Sequence, residues 1–420
     1  MRCKGLEGVR RKRQSKKRRC WWFAAAVMLS LLLGQAVYVR AEDLLQGGVQ
    51  QKRAEQEGSQ RTDTQQEEWQ QEEWLLEEMD LQAAEEALRE MTAFSDFSFL
   101  GLIKDLMTGN MAWDLREIGQ AVQEILFTQL AEQKELALRI LVIALVSAVI
   151  SNFIRIFENH AIAEISFYMM YLLITTLLVH SFQAMGQIVA EALQSLASFM
   201  NLLLPAYLVT IVFTAGGVTA LGFYQLTVLA IHILTGVIIR IVLPLIQLYM
   251  ALLILNQMTR EDCFSQFASL LRTVVEWTVR TAVGITAGLQ AVQCLISPAV
   301  DSLKNSAVHR LAKVLPGIGN LMDAAAETVL GSALVIKNAV GVAGMIAIAA
   351  ICLVPFLKLA VNILLFRVLC ALLQPVSEKR MVDCIAGISE SSLMLMRVLL
   401  SGMAMFVISL ALITASVKGG

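Results

Sequence analysis

From about Leu136 to Ser416 the chain is a succession of apolar runs of helix length, and a secretory-type leader stands ahead of them. That pairing leaves few folds. The clearest runs are Leu136–Ile154, Ile162–His180, Thr219–Ile239, Leu243–Met258, Ala339–Leu357 and Leu393–Thr414. About 20 mostly apolar residues cover about 30 Å of hydrocarbon. Lipid offers no partner to backbone N–H and C=O groups, so such runs must be helices. The alternating strands and aromatic girdles of a membrane barrel are missing. The fold class expected is an all-α polytopic membrane protein, a bundle of seven to nine crossings.

Composition agrees: 57% of residues are hydrophobic and 16% charged, against about 45–50% and about 25% in soluble chains. The formal net charge of −1 conceals two blocks. The first 20 residues are strongly basic and residues 42–90 strongly acidic. Arg10–Arg13 and Lys16–Arg19 form the positive region of a leader, and Trp21–Leu33 its apolar core. Val39-Arg40-Ala41 suits cleavage after Ala41, giving a signal peptide over 1–41; an uncleaved anchor is the alternative. Directly before an apolar core, a basic run reads as a topology signal and not as a nucleic-acid site.

Residues 42–93 are Gln- and Glu-rich and read as a disordered or helical exported linker. Residues 94–135 carry Phe97, Leu100, Ile103, Leu106 and Met107, then Trp113, Leu115, Ile118, Val122, Ile125, Leu126 and Leu130, all at helical spacing. Two amphipathic helices are expected there, packed on the protein's own bundle, with the membrane surface as second choice. Residues 136–416 form the polytopic domain. The positive-inside rule places Arg155, Arg260 and Arg272 inside. On a count that treats each run as one crossing, the basic residues near 304–313 and 379–380 fall outside, against the rule.

No catalytic constellation is present. The seven cysteines include no CxxC pair, and the four histidines are scattered without a metal-ligand spacing. Catalytic, cofactor and metal residues are therefore expected to be none, and the protein is expected not to be an enzyme. The informative polar residues lie inside the apolar domain. Glu276 and Arg280 stand four apart on one helical face; they read either as a polar pathway or as a structural pair at the membrane edge. Asp323 and Glu327 also share a face, with Lys337 beyond, and read as a pathway or a solvated loop. The turn Pro316-Gly317-Ile318-Gly319 ahead of them suits a re-entrant or broken helix. Gly284 and Gly288, and Gly341 and Gly344, are small-residue spacings of the kind that let helices approach closely. A faint likeness between 276–288 and 327–344 hints at an internal repeat.

Further residues carry a resemblance. The block Asp301-Ser-Leu-Lys, Lys313-Val-Leu-Pro-Gly-Ile-Gly, Asp323-Ala-Ala-Ala-Glu-Thr-Val-Leu-Gly-Ser-Ala and Ile336-Lys-Asn-Ala-Val-Gly-Val-Ala-Gly resembles the stage III sporulation protein AE family. So does Leu373-Gln-Pro-Val-Ser-Glu-Lys-Arg, and the likeness spans roughly residues 100–420. The resemblance implies a multi-pass protein of the mother-cell membrane surrounding the forespore. It implies a channel complex with other stage III A-operon proteins and, through them, the forespore stage II protein Q. It implies no reaction, and nucleic acid is not an expected partner; self-association is left open. Within that frame the chain reads as a permease-like component, with a self-sufficient secondary transporter of a small solute or a non-conducting scaffold as rivals.

The leader carries one direct test. A cysteine introduced at Gln60 is expected to react with an impermeant reagent in intact protoplasts. Protection at that site would reverse the orientation.

Overall fold

The computed structural model describes residues 81–92, 98–108, 115–156, 160–215, 217–258, 264–312 and 319–415. The leader and most of the acidic linker lie outside these residues. Every element described is helical. Two short helices, α1 (Gln82–Met91) and α2 (Phe99–Thr108), come first. Then follow α3 (Leu115–Ile156), α4 (His160–Ala215), α5 (Gly217–Val237), a π-turn (Ile238–Val242), α6 (Leu243–Met258), α7 (Ser265–Ala312), α8 (Gly319–Leu373) and α9 (Lys379–Ala415).

Several breaks expected from the sequence are bridged. The segment Arg240–Pro244 was a candidate connection between two crossings, because proline lacks an N–H and its ring crowds the carbonyl four residues back. Here the ladder widens into the π-turn Ile238–Val242, and α5 and α6 form one rod. Likewise 339–357 and 359–373 belong to one helix, α8, which runs through Pro355. Beyond Lys358 the helix is tied back on itself, as Asn362 Nδ2 donates to the Lys358 carbonyl at 3.0 Å. Helix α4 passes through Pro205 in the same way. Among the described residues there are thus six long rods, where the sequence suggested seven to nine separate segments. Among the described residues four helical stretches are long and apolar enough to cross a membrane: 165–207, 225–258, 331–373 and 379–414.

Contacts between named residues set the direction of each rod. Tyr171 of α4 donates its hydroxyl hydrogen bond to the Ile254 carbonyl of α6 at 2.8 Å, and Gly186 lies beside Gln247. Those helices therefore run antiparallel. Gln290 of α7 donates to Thr227 Oγ1 of α5 at 3.3 Å, so α7 runs antiparallel to the α5–α6 rod. Gly344 of α8 meets Leu410 and Gly341 meets Thr414, which makes α8 and α9 antiparallel. Gly402 of α9 meets Leu193 of α4, while Tyr207 donates to Thr414 Oγ1 at 3.1 Å, so α4 and α9 are parallel.

This directionality removes a conflict in the sequence reading. Arg380 lies over the Phe167 ring at 5.7 Å, near the start of α4, and Arg272 contacts Glu390 ten residues further into α9. Residues 379–390 therefore stand at the same end of the bundle as the starts of α4 and α7, and not opposite Arg272. Residues 304–312 of the basic stretch belong to the far end of α7; their side chains, and Lys313, lie outside the described residues.

Helix α9 is the centre. Its buried residues Met381, Cys384, Ile385, Ile388, Leu395, Leu399, Phe406 and Leu410 point in several directions, as expected for a helix surrounded by others. It packs on α4, α6, α7 and α8. Close approach is bought by glycine: a Cβ at Gly344 would stand 2.6 Å from Leu410 Cδ2 and 2.9 Å from Leu203 Cδ2.

The short helices pack on this bundle. Leu81, Ala84 and Leu88 make one buried stripe of α1, and Phe99 and Ile103 that of α2. Phe99 meets Phe199 of α4 edge-on, with centroids 5.9 Å apart. The start of α2 is capped twice. Ser98 Oγ accepts the Gly101 N–H at 3.1 Å. Buried Glu85 accepts the Leu100 N–H at 2.9 Å while also pairing with Arg89 at 2.9 Å. A carboxylate at a helix N-terminus satisfies an orphan donor and the dipole together. Residues 82–91, assigned from sequence to the acidic linker, are thus part of the packed body.

The shared end of α7 and α9 predicts that single cysteines at Gln266 and Gln374 label from the same side of the membrane. Labelling from opposite sides would refute the parallel arrangement.

Candidate functional site

The strongest concentration of charge in the described bundle is an ion-pair network between α7 and α9. Glu276 is its hub. One carboxylate oxygen lies 3.3 Å from Arg272 Nε and 3.5 Å from Arg397 Nη1, and the other lies 3.3 Å from Arg280 Nη2. Arg272 also pairs with Glu390. On α7 the spacing 272, 276, 280 stacks the three groups one turn apart, and on α9 the seven-residue step from Glu390 to Arg397 returns to one face. Three guanidinium groups therefore share two carboxylates, leaving one surplus positive charge.

Sequence reasoning found Glu276 and Arg280 but not the rest of the network. By sequence Arg272 counts only as a basic residue of the inner side, and Glu390 and Arg397 carry no signal. The partners on α9 lie 118 and 121 residues away, and only the parallel pairing of the two helices brings them in. One local signal was available, since Arg272 precedes Glu276 by four residues just as Arg280 follows it.

The remaining candidates lie elsewhere. Lys337 is fully buried in α8. It stands one turn before Gly341, which meets Thr414, whereas the network reaches α9 at Glu390 and Arg397. Seventeen residues of helix separate Arg397 from Thr414, roughly 25 Å at 1.5 Å per residue. Glu276 and Lys337 therefore do not belong to one site. Asp323 and Glu327 belong to α8 by backbone, and their side chains lie outside the described residues.

The glycine pairs also differ. Gly341 and Gly344 sit beneath Thr414, Leu410 and Leu203 in tight helix contact. Gly284 and Gly288 have nothing within 4 Å of where a Cβ would stand. Among the described residues that spacing serves no helix contact, because it lies on the outward stripe of α7.

A network in which Arg272 holds carboxylates on both helices, and Glu276 holds guanidinium groups on both, is an electrostatic clasp. It fixes the register of α7 on α9 at the point where both apolar runs begin. It offers no nucleophile and no proton donor arranged for a reaction.

Among the described residues the body is all-helical and carries four helices long and apolar enough to cross a membrane, a makeup compatible with a multi-helix membrane protein. The chain belongs to the stage III sporulation protein AE family, whose model matches residues 97–417. It is similar to a Bacillus subtilis (strain 168) protein described as stage III sporulation protein AE, with 24% identity over 315 residues, covering 74% of this chain and 79% of that protein. No solved structure matches.

The clasp is testable by a double-mutant cycle. Arg272→Gln and Glu390→Gln should each lower thermal stability in detergent, and the double variant should lose less than the sum. A coupling on the order of 1 kcal/mol is expected for a half-exposed pair. Strict additivity would show that the pair does not hold α7 to α9.

Proposed function

We propose that this protein is a non-enzymatic, multi-pass membrane subunit of the sporulation channel complex that joins mother cell and forespore. The observation that carries the reading is the family match over most of the chain, together with the helical body that bears it. Six crossings suit the six rods. An exported segment before α3 then enters from outside, and an even count returns the chain's end to that side. With α4, α7 and α9 rising from one end, Arg272 and Arg380 fall on the inner side, as basic residues prefer. The partners proposed are the other stage III A-operon proteins and, through them, stage II protein Q.

Within the complex the geometry favours a membrane-embedded structural and docking role. Both carboxylates of the network between α7 and α9 are paired with arginines, and the centre around α9 is filled by side chains. A conducting, permease-like role is the second reading. It is favoured by buried Lys337 in α8, because a cation within an apolar bundle marks an ion or solute path in many membrane proteins.

Deleting the gene should reduce heat-resistant spores by orders of magnitude, and an unchanged yield would refute the sporulation role. Vesicles holding the purified protein alone should show no solute-coupled uptake. Robust uptake without partners would establish the transporter reading instead.

A further inference from the structure

We propose that the outward face of α7, between Thr273 and Gly288, is a docking surface for a transmembrane helix of a different protein carrying an aspartate or glutamate that pairs with Arg280. The inference rests on α7 lying in the membrane, not on the sporulation role.

The argument begins with charge. Around the clasp, Arg272, Arg280 and Arg397 share Glu276 and Glu390, so one guanidinium lacks a full counter-charge. Arg280 is the member most open to the outside, with 74% of its side chain exposed, and it holds only one oxygen of a carboxylate already shared with two other arginines. It lies within Thr273–Ile296, a stretch that Glu276 and Arg280 keep out of the four most apolar helices but that packs alongside them, on α5, α6 and α9. A charge there is costly unless it faces protein or a wet cavity. Trp277, beside it, is 67% exposed.

Geometry fits a helix as the occupant. Thr273, Trp277, Arg280, Gly284 and Gly288 recur at steps of three and four, so they line one stripe of α7, and all are exposed. The two glycines leave room for a close backbone approach, although they would not identify a partner by themselves. One edge of the stripe is the charge clasp. The other edge opens into an apolar groove of about 390 Å³ between α5 and α7, lined by Leu226, Leu229, Ile233, Trp277 and Ile285 among others. A second helix laid along the stripe would bury its apolar side in that groove and present a carboxylate to Arg280 and Arg397.

A second copy of this chain fits poorly. In a two-fold contact the same patch meets itself, which would set the surplus positive charge of one copy against that of the other. The carboxylate must come from a different protein.

The test uses the full-length protein in membranes of the cells that make it. A photo-reactive residue placed at Gly284 or Gly288, where a side chain meets open space, should give an adduct with another membrane protein. Mass spectrometry should map that adduct to an apolar segment carrying Asp or Glu. Arg280→Gln should cut the adduct on the order of tenfold, the worth of one intramembrane polar contact. Arg280→Lys should retain most of it, and both variants should stay in the membrane fraction. Adducts confined to lipid, adducts with a second copy, or a linked segment without a carboxylate would each overturn the proposal. So would an adduct undiminished in Arg280→Gln. If Arg280→Gln is lost from the membrane, the mapped adduct of the otherwise native chain decides alone. Extraction of the native chain as a peripheral protein would strike at the membrane reading instead.

Discussion

The structure depends on one helix being enclosed. Helix α9 presents buried apolar residues in several directions, and neither water nor a single neighbour could cover them. Helices α4, α6, α7 and α8 gather around it because each supplies a complementary surface, and small residues set how close they come. Gly387 faces Leu253 of α6, Gly402 faces Leu193 of α4, and Gly344 of α8 accepts Leu410. In lipid these contacts gain little from the hydrophobic effect, so close van der Waals fit and interhelical polar pairs must supply the cohesion. The clasp of Glu276 with three arginines is that polar pairing, placed where α7 meets α9.

Much of this was legible in the sequence. Helix-length apolar runs dictated an all-helical body with membrane-length helices, and the periodicity of 94–135 announced two amphipathic helices, of which the first packs on the bundle through Phe99 and Ile103 while the second is the start of the continuous α3. The family was readable from the block 301–344. Continuity was not readable. Pro244 looks like a stop by the rules that govern isolated helices. The backbone widens there into a π-turn, and that adjustment exists only in the assembled fold. The charge network was half visible for a similar reason: spacing of four residues reveals pairs within a helix, while pairs across 118 residues need the helix directions first.

Directionality also changes the electrostatic picture. Counting each apolar run as one crossing set Lys379 and Arg380 opposite Arg272. Bridging the break in α8 puts them together, because only α7 and one unbroken α8 then lie between Arg272 and Lys379. The distribution of basic residues at that end then follows from the fold without special pleading. The helical entry at α1 and α2 shows the same economy, with a single buried carboxylate, Glu85, holding Arg89 on its own helix and the first turn of the next.

The claim on which the rest stands is that α9 lies at the centre, between α4 and α6. Disulfide cross-linking in native membranes measures it directly. The pair Leu193→Cys with Gly402→Cys should join α4 to α9, and Leu253→Cys with Gly387→Cys should join α6 to α9, each in an otherwise cysteine-free chain. Efficient formation of both bridges under mild oxidation is the predicted result. Failure of both, with the protein still inserted in the membrane, would place α9 at the edge of the bundle and contradict the account.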